Sequence, residues 1–184
     1  YKEPTNPLRH YAVFQRQKTR NLSLGRVLIF DVRNNDFLQA PATEIPMPFA
    51  PDTICSYGEK GLWIAVQSEI FNPPQFCIVD TYLKMSRPFL TDVFQEECFI
   101  SEIFPIQENS LLVLSNCRDE NPSQEEKSRL YMLNTLNGMQ TTEPMLLYGE
   151  GNISEKNIYP THEGFWVKTT SLSDGFGYLT YVNW

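Results

Sequence analysis

Few residues in this chain have the type and spacing that catalysis requires. The two histidines, His10 and His162, have no Ser, Cys or Asp beside them in sequence to complete a nucleophile–base pair. Glu96 and Glu97 are adjacent, so on a strand they point to opposite faces and do not act together. Glu125 and Glu126 lie in a polar stretch suited to solvation. No G-x-S-x-G, H-E-x-x-H, phosphate-cradling glycine loop or calcium loop occurs. The residues imply no cofactor and no metal site. The cysteines Cys55, Cys77, Cys98 and Cys117 form no C-x-x-C pair, and with two histidines they make a poor zinc set. Cys98 and Cys117 flank one predicted hairpin and stand near enough to pair. Buried free thiols on strands are the simpler expectation, which leaves the redox compartment open.

Composition then narrows the class. Of 184 residues, 41% are hydrophobic and 20% charged, which describes a folded chain rather than a disordered one. Aromatics reach 13% and prolines number 13, a mix that favours strands and turns over helices. A net charge of −7 disfavours nucleic acid as a partner. No apolar run is long enough to span a membrane as a helix, so no membrane insertion is expected of this segment. Tyr1 opens a polar, proline-containing stretch without an initiator Met or a signal peptide, which suggests a mature product or a fragment. Asn21-Leu22-Ser23 and Asn152-Ile153-Ser154 match the glycosylation sequon, a pattern that also arises by chance. An extracellular or periplasmic location is favoured over a cytoplasmic one.

The strongest signal is an internal repeat. VLIFDV (27–32), FCIVDT (76–81), YMLNTL (131–136) and LTYVNW (179–184) are apolar strands closing on Asp31, Asp80, Asn134 and Asn183, at intervals of 49, 54 and 49 residues. A second class, GLWIAVQ from Gly61, SLLVLSN from Ser110 and GFWVKTT from Gly164, moves in step and makes Trp63, Leu112 and Trp166 equivalent. HYAVFQ (10–15) is its first copy. Ahead of each later copy stands another strand: TICSYG (53–58), SEIFPIQ (101–107) and KNIYPTH (156–162). Short polar turns join the pairs. Weaker strands with proline near their starts follow, TEIPM, RPFLT and EPMLLY, as suits an outer edge.

A repeated four-stranded antiparallel meander of this length resembles a β-propeller blade. The resemblance is generic: Gly-His starts and Trp-Asp ends are absent, and so is the Gly-Gly pair of kelch repeats. It implies an all-β chain, one domain over residues 1–184, with blade-like repeats at about 8–48, 52–92, 98–148 and 156–184. The strands group as three, four, four and three, which points to part of a larger propeller of about six to eight blades, with a four-bladed ring as the alternative. The closing Asp or Asn is expected to bond back to its own turn. Trp63 and Trp166 are expected as wedges between blades.

In such a blade the long loops share one face, and loops on a rigid scaffold carry binding. That face would present Arg16, Lys18 and Arg20, then Phe71 beside a proline pair, then Arg118, Asp119 and Glu120, then Asp174 and Phe176. The first reading is a non-enzymatic scaffold or recognition module for a protein, peptide or glycan. The second is a hydrolase or lyase with a channel site drawn from Asp52, Ser56, Glu102 and His162. A third is a sensory or receptor ectodomain segment.

Overall fold

The structure is a computed structural model, and it describes residues 10–18, 23–31, 43–57, 61–69, 72–94, 98–107, 109–117, 127–152, 155–171, 173 and 175–183. All regular structure among them is β. The strands are β1 His10–Lys18, β2 Ser23–Asp31, β3 Thr43–Met47, β4 Thr53–Tyr57, β5 Leu62–Glu69, β6 Asn72–Asp80, β7 Met85–Phe89, β8 Cys98–Gln107, β9 Ser110–Cys117, β10 Lys127–Asn134, β11 Met145–Tyr148, β12 Ile158–Pro160, β13 Gly164–Thr170 and β14 Gly177–Asn183. They form four sheets in sequential order, β1-β2-β3, β4-β5-β6-β7, β8-β9-β10-β11 and β12-β13-β14. No helix among the described residues is long and apolar enough to cross a membrane.

The turns are built by the residues that end the strands. Asp80 Oδ1 accepts the N–H groups of Tyr82 at 2.9 Å and Leu83 at 2.8 Å, and Asn134 Oδ1 accepts that of Leu136 at 2.8 Å. These are side-chain turns that stop a strand by satisfying the first free amides beyond it. Asn109 adopts a φ of 66° in the β8–β9 turn, a conformation asparagine tolerates better than most residues.

Two compact units are distinguished, Tyr1–Gln67 with Phe76–Pro88, and Ser68–Gln75 with Phe89–Trp184. In the first, Val27, Ile29, Ile45 and Met47 of β2 and β3 pack against Ala65, Cys77 and Val79, with Trp63 beside them. In the second, Leu112, Leu114, Leu130 and Leu147 pack against Ile158, Phe165 and Val167. Each core lies between two sheets and draws on alternate residues of the strands that contribute to it. The central strands are buried on both faces: Ile64, Ala65 and Val66 are all inaccessible, as is the run Leu111–Asn116.

The equivalence of Trp63 with Trp166 does not hold. Trp63 and Ala65 face the core of their unit, whereas in β13 the core-facing residues are Phe165 and Val167. Trp63 therefore corresponds to Phe165, and Trp166 lies on the opposite face of its sheet, 41% exposed. A one-residue offset is enough, because successive strand residues alternate between faces. Trp63 packs against the core between two sheets, and Trp166 does not.

The cysteines also divide. Cys55 and Cys77 are free thiols, and burial pushes the Cys77 thiol up from its usual pKa. Cys98 is disulfide-bonded, against the expectation of free thiols throughout, and the residue opposite it across β8–β9 is Cys117.

The link between β11 and β12 is fixed by buried polar groups. Asn116 Nδ2 donates to the Gly151 carbonyl at 2.8 Å and Ser101 Oγ donates to it at 3.1 Å. The Gly151 N–H lies 3.0 Å from Ser128 Oγ and 3.1 Å from Asn116 Oδ1. A Cβ on Gly151 would stand 2.6 Å from Leu114 Cδ2 and 2.9 Å from Ser101 Cβ, so the position has no room for one.

Gly151→Ala is expected to cost about 1–3 kcal/mol through overpacking, read as a lower urea midpoint with an unchanged slope. Alkylation of the unfolded, unreduced chain should modify two thiols, and all four after reduction. Cys98→Ser should cost about 2–4 kcal/mol.

Candidate functional site

Of the loop residues singled out by sequence, Phe176 is the one whose side chain is described. It is 67% exposed where the chain enters β14, and its carbonyl accepts the Ser171 N–H at 2.9 Å. Arg16 and Lys18 lie on β1, but their side chains fall outside the described residues. Arg20, Phe71, Arg118, Asp119, Glu120 and Asp174 fall outside them entirely.

Among the channel candidates, Asp52 and His162 are exposed and Ser56 is half-buried. Glu102 has the most distinctive setting. A β-bulge in β8 places both Ser101 and Glu102 against a single stretch of β9, with Ile100 opposite Ser115 and Glu102 opposite Leu114. The extra residue turns Glu102 toward β12, where its Oε2 accepts the N–H of Asn157 at 2.5 Å and of Ile158 at 2.9 Å. Burial holds its carboxyl above the usual carboxylate range, while those two amides and the charge of Lys156 pull it down. Asn157 is itself buried, and its amide group ties the loop by donating to Asn152 O at 2.8 Å and Glu155 O at 3.0 Å. A carboxylate that answers the first amides of a strand in this way is a positioning group for β12. Among the described residues no three His, Cys, Asp or Glu side chains gather as a metal site would need.

The second unit carries an open apolar cleft of about 450 Å3, lined by Leu112, Met132, Met145, Phe165 and Val182, with Glu143 on its wall. It opens beside the β8–β9 turn and the end of β14, which is the short-turn end of the sheets. The long-loop end was the expected location.

The feature that sequence reasoning missed is the outer face of the last sheet. Tyr159, Trp166 and Tyr181 stand directly opposite one another across β12, β13 and β14. The Trp166 and Tyr181 ring centroids are 4.8 Å apart, and Lys156 Nζ lies 5.3 Å from the Tyr159 centroid. Leu179, opposite Lys168, extends the row and is 66% exposed. The same row in the preceding sheet is Phe104, Leu112 and Met132, aligned across β8, β9 and β10. Those three belong to the core against β12–β14. Each strand contributes one aromatic to this row and only the cross-strand register aligns them, while the one-residue offset put Trp166 on the inner face.

No protein-family model matches the chain, and no curated protein is significantly similar to it.

The raised Glu102 carboxyl sets a pH dependence. Its folded form is the weaker acid, so folding is favoured below the unfolded pKa, and that advantage fades as pH rises through the folded value. Glu102→Gln keeps an oxygen acceptor without the charge. It should gain stability relative to wild type as pH rises from about pH 4, the range of an unfolded carboxyl, to neutral pH. Glu102→Leu leaves two amides unanswered and should cost about 1–3 kcal/mol at both pH values. Urea titrations of the three proteins read this out.

Proposed function

We propose that this chain is a β-propeller-type recognition module without enzymatic activity, which binds a protein partner through the outer face of β12–β14. Four consecutive antiparallel meanders, each built on the same closing Asp or Asn, support the propeller reading. The observation that carries the binding reading is the row Tyr159–Trp166–Tyr181. Its register matches that of the apolar row Phe104–Leu112–Met132, which a neighbouring sheet covers, yet here it meets solvent. Exposed contiguous aromatics of this kind mark interaction surfaces, and Trp and Tyr dominate the energetics of such surfaces. Phe176, exposed where the chain enters β14, would add to that surface. The polar engagement of Glu102 with backbone amides favours this reading over a channel enzyme.

A photocrosslinking residue at position 179 should capture a partner, while one at the exposed Leu136 on the β10–β11 turn should not. Trp166→Ala with Tyr181→Ala should weaken that partner by about 2 kcal/mol or more, roughly thirtyfold, with little change in thermal stability. Equal crosslinking from positions 179 and 136 would contradict the assignment.

A further inference from the structure

We propose that the disulfide of Cys98 is a redox-set lock on the register of β8 against β9. Closed, it holds Ser101 on Gly151. Opened by a dithiol reductant, it lets residues 98–101 move one step along β9 and withdraws that hold. None of these residues lies on the outer face of β12–β14, so the device is separate from the recognition surface.

The chain has four cysteines, and Cys55 and Cys77 are free thiols. Cys98 is disulfide-bonded, which by elimination makes Cys117 its partner, directly opposite it across the strand pair. Directly opposite residues share a face and stand close enough to be joined. A cysteine one step out of register points to the other face of the sheet and cannot be.

The irregularity of the pair belongs to β8. Strand β9 runs on β10 in one unbroken register from Ser110 to Cys117. Against β9 the partners are Cys98 with Cys117, Phe99 with Asn116 and Ile100 with Ser115, then Glu102 with Leu114 and Ile103 with Val113. Ser101 is the extra residue of the bulge. Strand neighbours ordinarily alternate between faces, yet Ser101 and Glu102 reach the same side. Ser101 Oγ donates to the Gly151 carbonyl at 3.1 Å, and Glu102 Oε2 accepts the Ile158 N–H at 2.9 Å. The bulge is what allows both.

A second register is one step away. Absorbing the extra residue would put Ser101 opposite Ser115, Ile100 opposite Asn116 and Phe99 opposite Cys117. That restores an even ladder and turns Ser101 away from Gly151. It also gives up the bond from the Ile100 N–H to Ser68 Oγ, 3.0 Å long. Cys98 would no longer face Cys117, so the closed disulfide excludes this register. Opening takes two electrons and two protons from a dithiol, which closes to its own disulfide as Cys98 and Cys117 become thiols. Cys98 is 3% exposed, so the exchange passes through local opening of this end of β8.

Two measurements on the full chain test the lock. In the first, Cys98→Ser is combined with Phe99→Cys, which places a thiol opposite Cys117 in the slipped register. Air oxidation should join positions 99 and 117, so that alkylation of the unfolded, unreduced chain modifies Cys55 and Cys77 alone. A digest at Glu102 and Glu108, which lie between the two positions, locates the bond. The Gly151 amide should exchange about tenfold faster than in wild type. In the second, wild type is followed by NMR with and without dithiothreitol. Oxidised, cross-strand proton contacts should join Ile100 to Ser115. Reduced, they should join Ser101 to Ser115, with Gly151 exchanging about tenfold faster and Val113 and Leu133 protected as before. No bond between positions 99 and 117, a reduced chain that keeps the Ile100–Ser115 contacts, or Gly151 exchange unchanged in either measurement would overturn the lock. So would loss of Val113 and Leu133 protection on reduction, since the bond would then staple the whole unit rather than set one register. The reduction arm needs no substitution, and so it decides the matter even if the double variant does not fold.

Discussion

The second unit depends on how Gly151 is held. Its carbonyl takes hydrogen bonds from Ser101 and Asn116, and its N–H is answered by Ser128 and Asn116. Ser128 Oγ also lies 2.7 Å from Asn116 Oδ1 and 2.9 Å from the Gly149 carbonyl, which closes the set. Three strands, β8, β9 and β10, thus contribute one polar side chain each to a single backbone position between two sheets. Such a network is costly when incomplete and specific when complete. Here it sets where the chain leaves β11, and so where β12 begins.

The rest follows from that placement. Glu102 receives the Asn157 and Ile158 amides, the β12–β14 sheet lays Ile158, Phe165 and Val167 onto Leu112, Leu114 and Leu130, and Glu150 pairs with Thr170 across the junction. Full burial of a side chain such as Phe165 contributes on the order of 2–3 kcal/mol, so the apolar contacts supply most of the energy and the polar ones supply the registration. Once one face of the last sheet is committed inward, strand alternation sends Tyr159, Trp166 and Tyr181 outward. The exposed surface is a consequence of the core rather than a separate construction.

Strand positions and the grouping into meanders were legible in the sequence, because each strand is apolar, short and bounded by turn residues. The Asp80 and Asn134 turns were legible for the same reason, being local. What escaped was anything requiring a count accurate to one residue. Gly61 and Gly164 both precede an apolar run with tryptophan at the third place, yet Trp63 turns inward and Trp166 outward. The bulge at Ser101 is likewise invisible, since nothing in ISEIF marks which residue is extra. Without the bulge Glu102 would read as an ordinary strand residue. The disulfide at Cys98 needed the register of β8 on β9, a long-range fact that spacing alone does not carry. The expected long-loop site rests on residues of which Phe176 alone has a described side chain, while the aromatic face emerged from pairing across three strands.

The most direct test of this account is amide hydrogen exchange at Gly151, Asn157 and Ile158. If the polar network joins the two sheets of the second unit, these amides should exchange as slowly as those of Val113 and Leu133 at the centre of β9 and β10, through the same cooperative opening. Exchange of the three at the rate of exposed loop amides, with Val113 and Leu133 still protected, would mean that β12–β14 opens independently and that the network does not hold the fold together.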